Sequence, residues 1–180
     1  FVLNKVAPAG VPGSSAEGAQ TPHFQFGEAE LIGIQRADPT EAGQRSFLSA
    51  IEREIPPVNF KYYEDPADSA VFKGLRNVIG SGVVADYRTM SWVIFKSTSH
   101  PETFRLRLMG KGRFYRPYED TVLWEENCTC ESPDTPNGPT LESLTAQYGA
   151  QARQMFGELA VQCGGQLARR FIDAASQTPQ

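Results

Sequence analysis

The chain has 180 residues, 40% hydrophobic and 21% charged, with 17 Lys and Arg against 21 Asp and Glu for a net charge of −4. That apolar fraction excludes a disordered chain and supports one domain core. The acidic balance excludes a global electrostatic draw to nucleic acid or to an anionic membrane, and no apolar run reaches the length of a membrane span.

Residues 1–22 are rich in Gly, Ala, Pro and Ser, with Pro8, Pro12 and Pro22, the composition of a flexible tether. Residues 23–180 then read as a single α+β domain. Phe24 to Gln35 is a first strand, since Phe24, Phe26, Ile32 and Ile34 share a parity. Asp38, Pro39 and Glu41 supply a cap, a first-turn proline and a capping-box carboxylate. The helix they open, Ala42 to Ile55, carries Phe47, Leu48, Ile51 and Ile55 at helical spacing until Pro56-Pro57 stops it. Val58 to Tyr63 is a second strand. Asp65, Pro66 and Asp68 repeat the helix start, and Val71, Phe72, Leu75, Val78 and Ile79 give the apolar face of a second helix closed by Gly80-Ser81-Gly82.

Val83 to Lys96 is a third strand, and His100-Pro101 turns the chain. The strongest pattern follows, from Thr103 to Tyr115. Phe104, Leu106, Leu108, Gly110, Gly112 and Phe114 occupy one parity, and Arg105, Arg107, Met109, Lys111, Arg113 and Tyr115 the other. Side chains on a strand alternate between faces, so this is a long half-buried strand with a cationic outer side. Gly110 and Gly112 mark a place where a bulky neighbour, Trp92 or Trp124, crosses the strand. After a turn at Pro117–Asp120, Thr121 to Glu126 returns as a fifth strand, making residues 83–127 a three-stranded antiparallel meander.

Residues 131–140 form a proline-rich loop, and Leu141 to about Ala175 forms a long closing helix. Its large stripe is Leu141, Leu144, Tyr148, Ala152, Met155, Leu159, Cys163, Leu167 and Phe171. A second stripe of Ala146, Ala150, Gly157, Ala160, Gly164 and Ala168 suits close backbone approach, and Gly164-Gly165 is the expected place for a bend. Cys128 and Cys130 lie on one face if extended. A bridge from Cys163 to either would staple the helix to the sheet and imply an oxidising compartment. The expected fold is a mixed sheet of about five strands in the order β-α-β-α-β-β-β-α.

The chain lacks a G-x-S-x-G elbow, a Walker loop and an H-E-x-x-H pair, so no catalysis, cofactor or metal is expected. Gly110-Lys111-Gly112 lies inside a strand, where it cannot make a phosphate nest. Asp65 and Asp68 read as helix caps, Glu125-Glu126 as solvated strand-end charges, and Asn127-Cys128-Thr129 matches the glycosylation triplet. The basic strand side has two readings. One contacts phosphates, lipid headgroups or an acidic partner; the other is a solvated side whose arginines pair with Glu102, Glu125 or Glu126. Met109 and Tyr115 on that side favour protein over nucleic acid.

Val84-Ala85-Asp86-Tyr87 opens a strand after a Gly-rich helix end, Arg105-Leu106 opens another, and Val122-Leu123-Trp124-Glu125 returns before a helix bearing Ala152, Leu159, Leu167-Ala168 and Phe171. This resembles bacterial envelope lipoproteins related to the TolB amino-terminal domain, including CsgG-like and LpoB-like proteins. The chain departs from that pattern by lacking Thr-Gly at 116–120 and by adding three cysteines. The resemblance implies a periplasmic, outer-membrane-associated protein whose only membrane contact is a lipid anchor on a cysteine upstream of Phe1. It further implies a non-catalytic role: docking on an envelope protein or building an assembly, a homo-oligomer included. A small-ligand carrier or enzyme, with a pocket between the long helix and the sheet where Gly110, Gly112, Gly157 and Gly164 leave room for an apolar or anionic ligand, is the alternative expectation.

Overall fold

The computed structural model describes residues 39–55 and 82–177. Within them the chain forms a helix α1 (Thr40–Glu54), strands β1 (Val84–Lys96), β2 (Phe104–Arg116) and β3 (Thr121–Glu131), and a helix α2 (Leu141–Ser176). The strands expected at 24–35 and 58–63, the helix begun at Asp65, the Asp38 cap and the tether at 1–22 lie outside the described residues.

The described elements make an α+β fold with a three-stranded antiparallel sheet in the order β1-β2-β3. The alternation in β2 dictates its setting. Phe104, Leu106, Leu108, Gly110, Gly112 and Phe114 are buried, while the intervening residues are half-buried or exposed. Both helices lie on the buried side, α1 against β1 and α2 across β2 and β3. Phe47 of α1 is fully buried at their meeting point, with its ring 5.8 Å from Phe114, 6.2 Å from Trp124 and 6.4 Å from Tyr87. Leu106, Leu108, Leu144 and Leu167 are also fully enclosed. Each such side chain contributes about 1.5–3 kcal/mol through removal of apolar surface from water.

The glycines act through close approach. A Cβ added at Gly164 would run into the carbonyl oxygen of Gly43, so the backbones of α1 and α2 touch there. Ala160 and Ala168, one helical turn to either side, are fully buried in the same seam. Ser46 Oγ donates to Val161 O across it at 2.9 Å. Gly157 faces open space and Ala146 is exposed, so the small-residue stripe serves this seam only over 160–168. Gly110 lies beneath Tyr87, not Trp92: a Cβ there would sit 2.7 Å from the Tyr87 hydroxyl oxygen and 3.0 Å from Cys128 Sγ. Gly112 lies beneath Trp124, as expected, together with Leu167. Trp92 instead packs on Phe156 of α2 at 5.0 Å.

Two features of α2 differ from expectation. Its helical geometry fails at Ala146–Gly149, not at Gly164-Gly165. Gln147, Tyr148 and Gly149 take φ of 52°, 57° and 76° in succession. Left-handed geometry is easy for Gly149 but costs about 1–2 kcal/mol at each residue bearing a Cβ. The break interrupts the apolar stripe only locally, since Leu144 before it and Ala152, Leu159, Cys163 and Leu167 after it are buried as expected. Tyr148, expected on the apolar stripe, is 74% exposed, while Phe156, absent from that stripe, is buried. Arg153 donates to Tyr148 O and ties the break to the following turn. Gly164-Gly165 stays helical because the seam with α1 holds it.

β3 runs to Glu131, five residues beyond its expected end at Glu126, and carries Cys128 and Cys130 into the sheet on the helix side. Cys128 bonds Cys163 with a Cα–Cα separation of 5.7 Å. Cys130, the other candidate, is a free buried thiol, and burial pushes its pKa up. Cross-linking positions 35 residues apart restricts the unfolded chain by about 4 kcal/mol in the loop-entropy model. Arg170 of α2 adds a second tie to β3, donating to Asn127 O at 2.8 Å and to Glu126 at 3.2 Å.

Candidate docking face

The side of the sheet away from the helices carries the basic residues. Arg105, Arg107, Met109, Lys111, Arg113 and Tyr115 all project there from the central strand, as their parity requires. The register supplies their neighbours. On β1, Phe95, Val93, Ser91, Arg88, Asp86 and Val84 stand opposite them in that order. On β3, Glu131, Thr129, Asn127, Glu125 and Val122 stand opposite Arg107, Met109, Lys111, Arg113 and Tyr115.

A column of bases is thus flanked by acids on both outer strands. Arg105 and Arg107 share Glu131 at 2.8 and 2.5 Å. Lys111 Nζ bonds Glu125 at 2.7 Å, and Arg113 and Arg88 share Asp86 at 3.1 and 2.8 Å. The Lys111 hydrogen bond holds the Glu125 carboxyl below its ordinary pKa, with lesser help from Arg113 and Arg88. Aromatic rings complete the grid. The Arg105 and Arg107 guanidiniums lie 5.4 and 5.1 Å from the Phe95 ring centroid, and Arg113 lies 5.6 Å from that of Tyr115. The Tyr115 hydroxyl donates to Asp120. Between the ion pairs Val93, Met109 and Val122 are 45%, 41% and 48% exposed.

Pairing of the strand side was expected, and part of its geometry differs. Of the three carboxylates expected as partners, Glu125 serves. Glu126 points to the helix side and meets Arg170, and Glu102 sits exposed in the β1–β2 turn. Sequence reasoning missed Asp86, Arg88, Phe95 and Glu131. A bulge at Met90 is the reason for the first three: it places Asp86 and Arg88 on one side with Ser91, Val93 and Phe95, so parity changes within β1. Glu131 was hidden by ending β3 too early. A signal for it existed in the spacing Glu125–Asn127–Thr129–Glu131, which keeps a single parity.

A second polar cluster holds Ser97, His100 and Asp134. Ser97 Oγ donates to Asp134 Oδ1 at 2.6 Å and accepts the backbone N–H of His100 at 2.9 Å. The bond from Ser97 holds the Asp134 carboxyl below its ordinary pKa. With its proton directed at a carboxylate, this serine pins the β1–β2 turn to the segment after β3. Among the described residues no group of three or more His, Cys, Asp and Glu is arranged to hold a metal ion, and no helix is long and apolar enough to cross a membrane.

No family model matches the chain, and no curated protein matches it. Among solved structures, the crystal structure of lipoprotein GNA1162 from Neisseria meningitidis aligns with 47% of this chain and 55% of that one, at 13% identity and a TM-score of 0.30. The alignment spans about half of the lipoprotein's length, and at that score the likeness carries no argument about this chain.

Proposed function

We propose that this chain is a non-catalytic protein-interaction or assembly module of the bacterial envelope, periplasmic and associated with the outer membrane. The observation that carries it is the asymmetry of the sheet. One side is filled by two helices; the other alternates ion pairs with exposed Val93, Met109 and Val122. Mixed apolar and arginine-bearing surfaces of this kind are typical of protein interfaces. The Cys128–Cys163 bond supports an oxidising compartment. The envelope placement and an upstream lipid anchor rest on the resemblance to the lipoproteins related to the TolB amino-terminal domain.

The carrier or enzyme reading is weaker. Tyr87 and Cys128 occupy the space over Gly110, and Leu167, Trp124 and Phe47 the space over Gly112. An open depression of about 370 Å³ lies elsewhere, between Lys96, Phe104, Thr140 and Leu141. A photo-crosslinking residue placed at Met109 and, separately, at exposed Gln154 of α2 tests the docking reading in cells. A discrete protein adduct at position 109, reproduced with the purified partner and lacking at position 154, is expected. Equal labelling at both positions, or none at 109, refutes it.

A further inference from the structure

We infer that the corner built by Phe95, Arg105, Arg107 and Glu131 is the specificity point of the open face, and that it takes a protein carboxylate flanked by an apolar side chain. This inference rests on the docking reading above and names the chemistry of its partner. Arg105 is committed: its Nε donates to Ser132 O at 3.2 Å and its Nη2 to Glu131 at 2.8 Å. Arg107 engages Glu131 through Nε alone, at 2.5 Å, and its two terminal nitrogens make no hydrogen bond among the described residues. Its side chain is 45% exposed. The Phe95 ring and the Glu131 carboxylate hold that guanidinium in one orientation before anything binds. A fork held in this way loses little freedom when it takes a carboxylate.

Charge sets the sign of the partner. Two guanidiniums share one carboxylate here, and although the Asp134 carboxylate also feels Arg105, the terminal nitrogens of Arg107 bond no acid among the described residues. An acidic group is therefore favoured at this corner. An aligned second copy of the same face is disfavoured, because it would set one basic column against another. Val93 is opposite Arg107 in the register, and Met109 lies two residues along β2; both are more than 40% exposed. Val93 and the adaptable Met109 offer apolar contact within reach of the fork, which a bare phosphate would not use.

The test follows backbone amide signals of the whole chain during titration with a short synthetic peptide alternating Glu and Leu. Peptides alternating Glu and Ser, and Lys and Leu, serve as controls. The Glu-Leu peptide is expected to shift Val93, Arg107 and Met109 and to bind more tightly than either control. Arg107→Gln should weaken it about tenfold, the scale of one charged hydrogen bond. Glu131→Gln should tighten it, because the amide oxygen still accepts from Arg107 Nε and keeps the fork oriented while the opposing negative charge is gone. Equal binding of Glu-Leu and Glu-Ser, indifference to Arg107→Gln, or weaker binding by Glu131→Gln overturns the inference. So does preferential binding of oligothymidine or of phosphatidylglycerol vesicles through the same amides. If position 109 still crosslinks to a protein while the peptide ignores Arg107, docking stands and the carboxylate assignment fails. If position 109 also yields no adduct, both fail.

Discussion

The two sides of β2 use the same backbone for opposite purposes. Leu108 and Met109 are neighbours in sequence, yet one is fully buried beneath the helices and the other is 41% exposed between ion pairs. On the helix side, stability comes from apolar burial, the Gly43–Gly164 contact and a disulfide. On the open side, partly solvated ion pairs each contribute little to folding, since solvent screens them and long side chains must be ordered to form them. The lesson is that the exposed side is held in shape without being needed for shape, which is the condition for a surface that binds.

That contrast can be broken from the covalent side first. Cys128→Ser should lower unfolding free energy by about 4 kcal/mol, read by urea melts, whereas Cys130→Ser should cost only about 1 kcal/mol, the scale of a conservative buried change. An equal loss in both would mean that the bridge is not the one assigned. Next, Leu108→Ala should cost about 3 kcal/mol through lost burial and a residual cavity, while Met109→Ala stays within about 0.5 kcal/mol. A large loss at Met109 would show that the open side is part of the core. Relief of the left-handed break is smaller. Tyr148→Gly should raise stability by about 0.5 kcal/mol, the relief of left-handed strain less the added freedom of glycine in the unfolded chain.

The smallest effect lies in the ion pairs. Lys111→Met should raise the Glu125 pKa toward its ordinary value, read by carbon NMR titration of the side chain. The folded-state pKa is lowered, so ionised Glu125 favours the fold above the ordinary carboxylate range. That contribution disappears as pH falls through the lowered value. Melts of the native chain and of Lys111→Met should converge in acid and differ slightly near neutrality. A wider gap in acid would reverse the assignment.

Much of the fold was legible where one side of an element is buried and the other is not. The parity of Phe104 to Tyr115 gave the central strand and its two sides, because a register slip of one residue would exchange leucines for arginines. Phe47, Leu48 and Ile51 placed the inner side of α1 for the same reason. Parity could not give the bulge at Met90 or the extra residue Leu123 between Val122 and Trp124, since a bulge changes the count it relies on. The α2 break was hidden because Tyr148 fits a helical stripe by spacing, and only three-dimensional packing rejects it. The choice of Cys128 over Cys130 needed the helix in place. Arg170 meets Glu126, Cys163 meets Cys128 and Phe156 meets Trp92, so α2 runs antiparallel to β3 and its Cys163 turn falls at Cys128.

The bond between Cys128 and Cys163 also governs how the domain breathes. Outer strands ordinarily fray by peeling away one residue at a time. Here β3 is welded to the interior of α2 at Cys128, three residues before the strand ends, so that part of the strand and the Cys163 turn open together. Deuterium uptake by the amides of Asn127–Thr129 and Leu159–Leu167 should therefore share one opening free energy, and a thiol reductant should separate them into two.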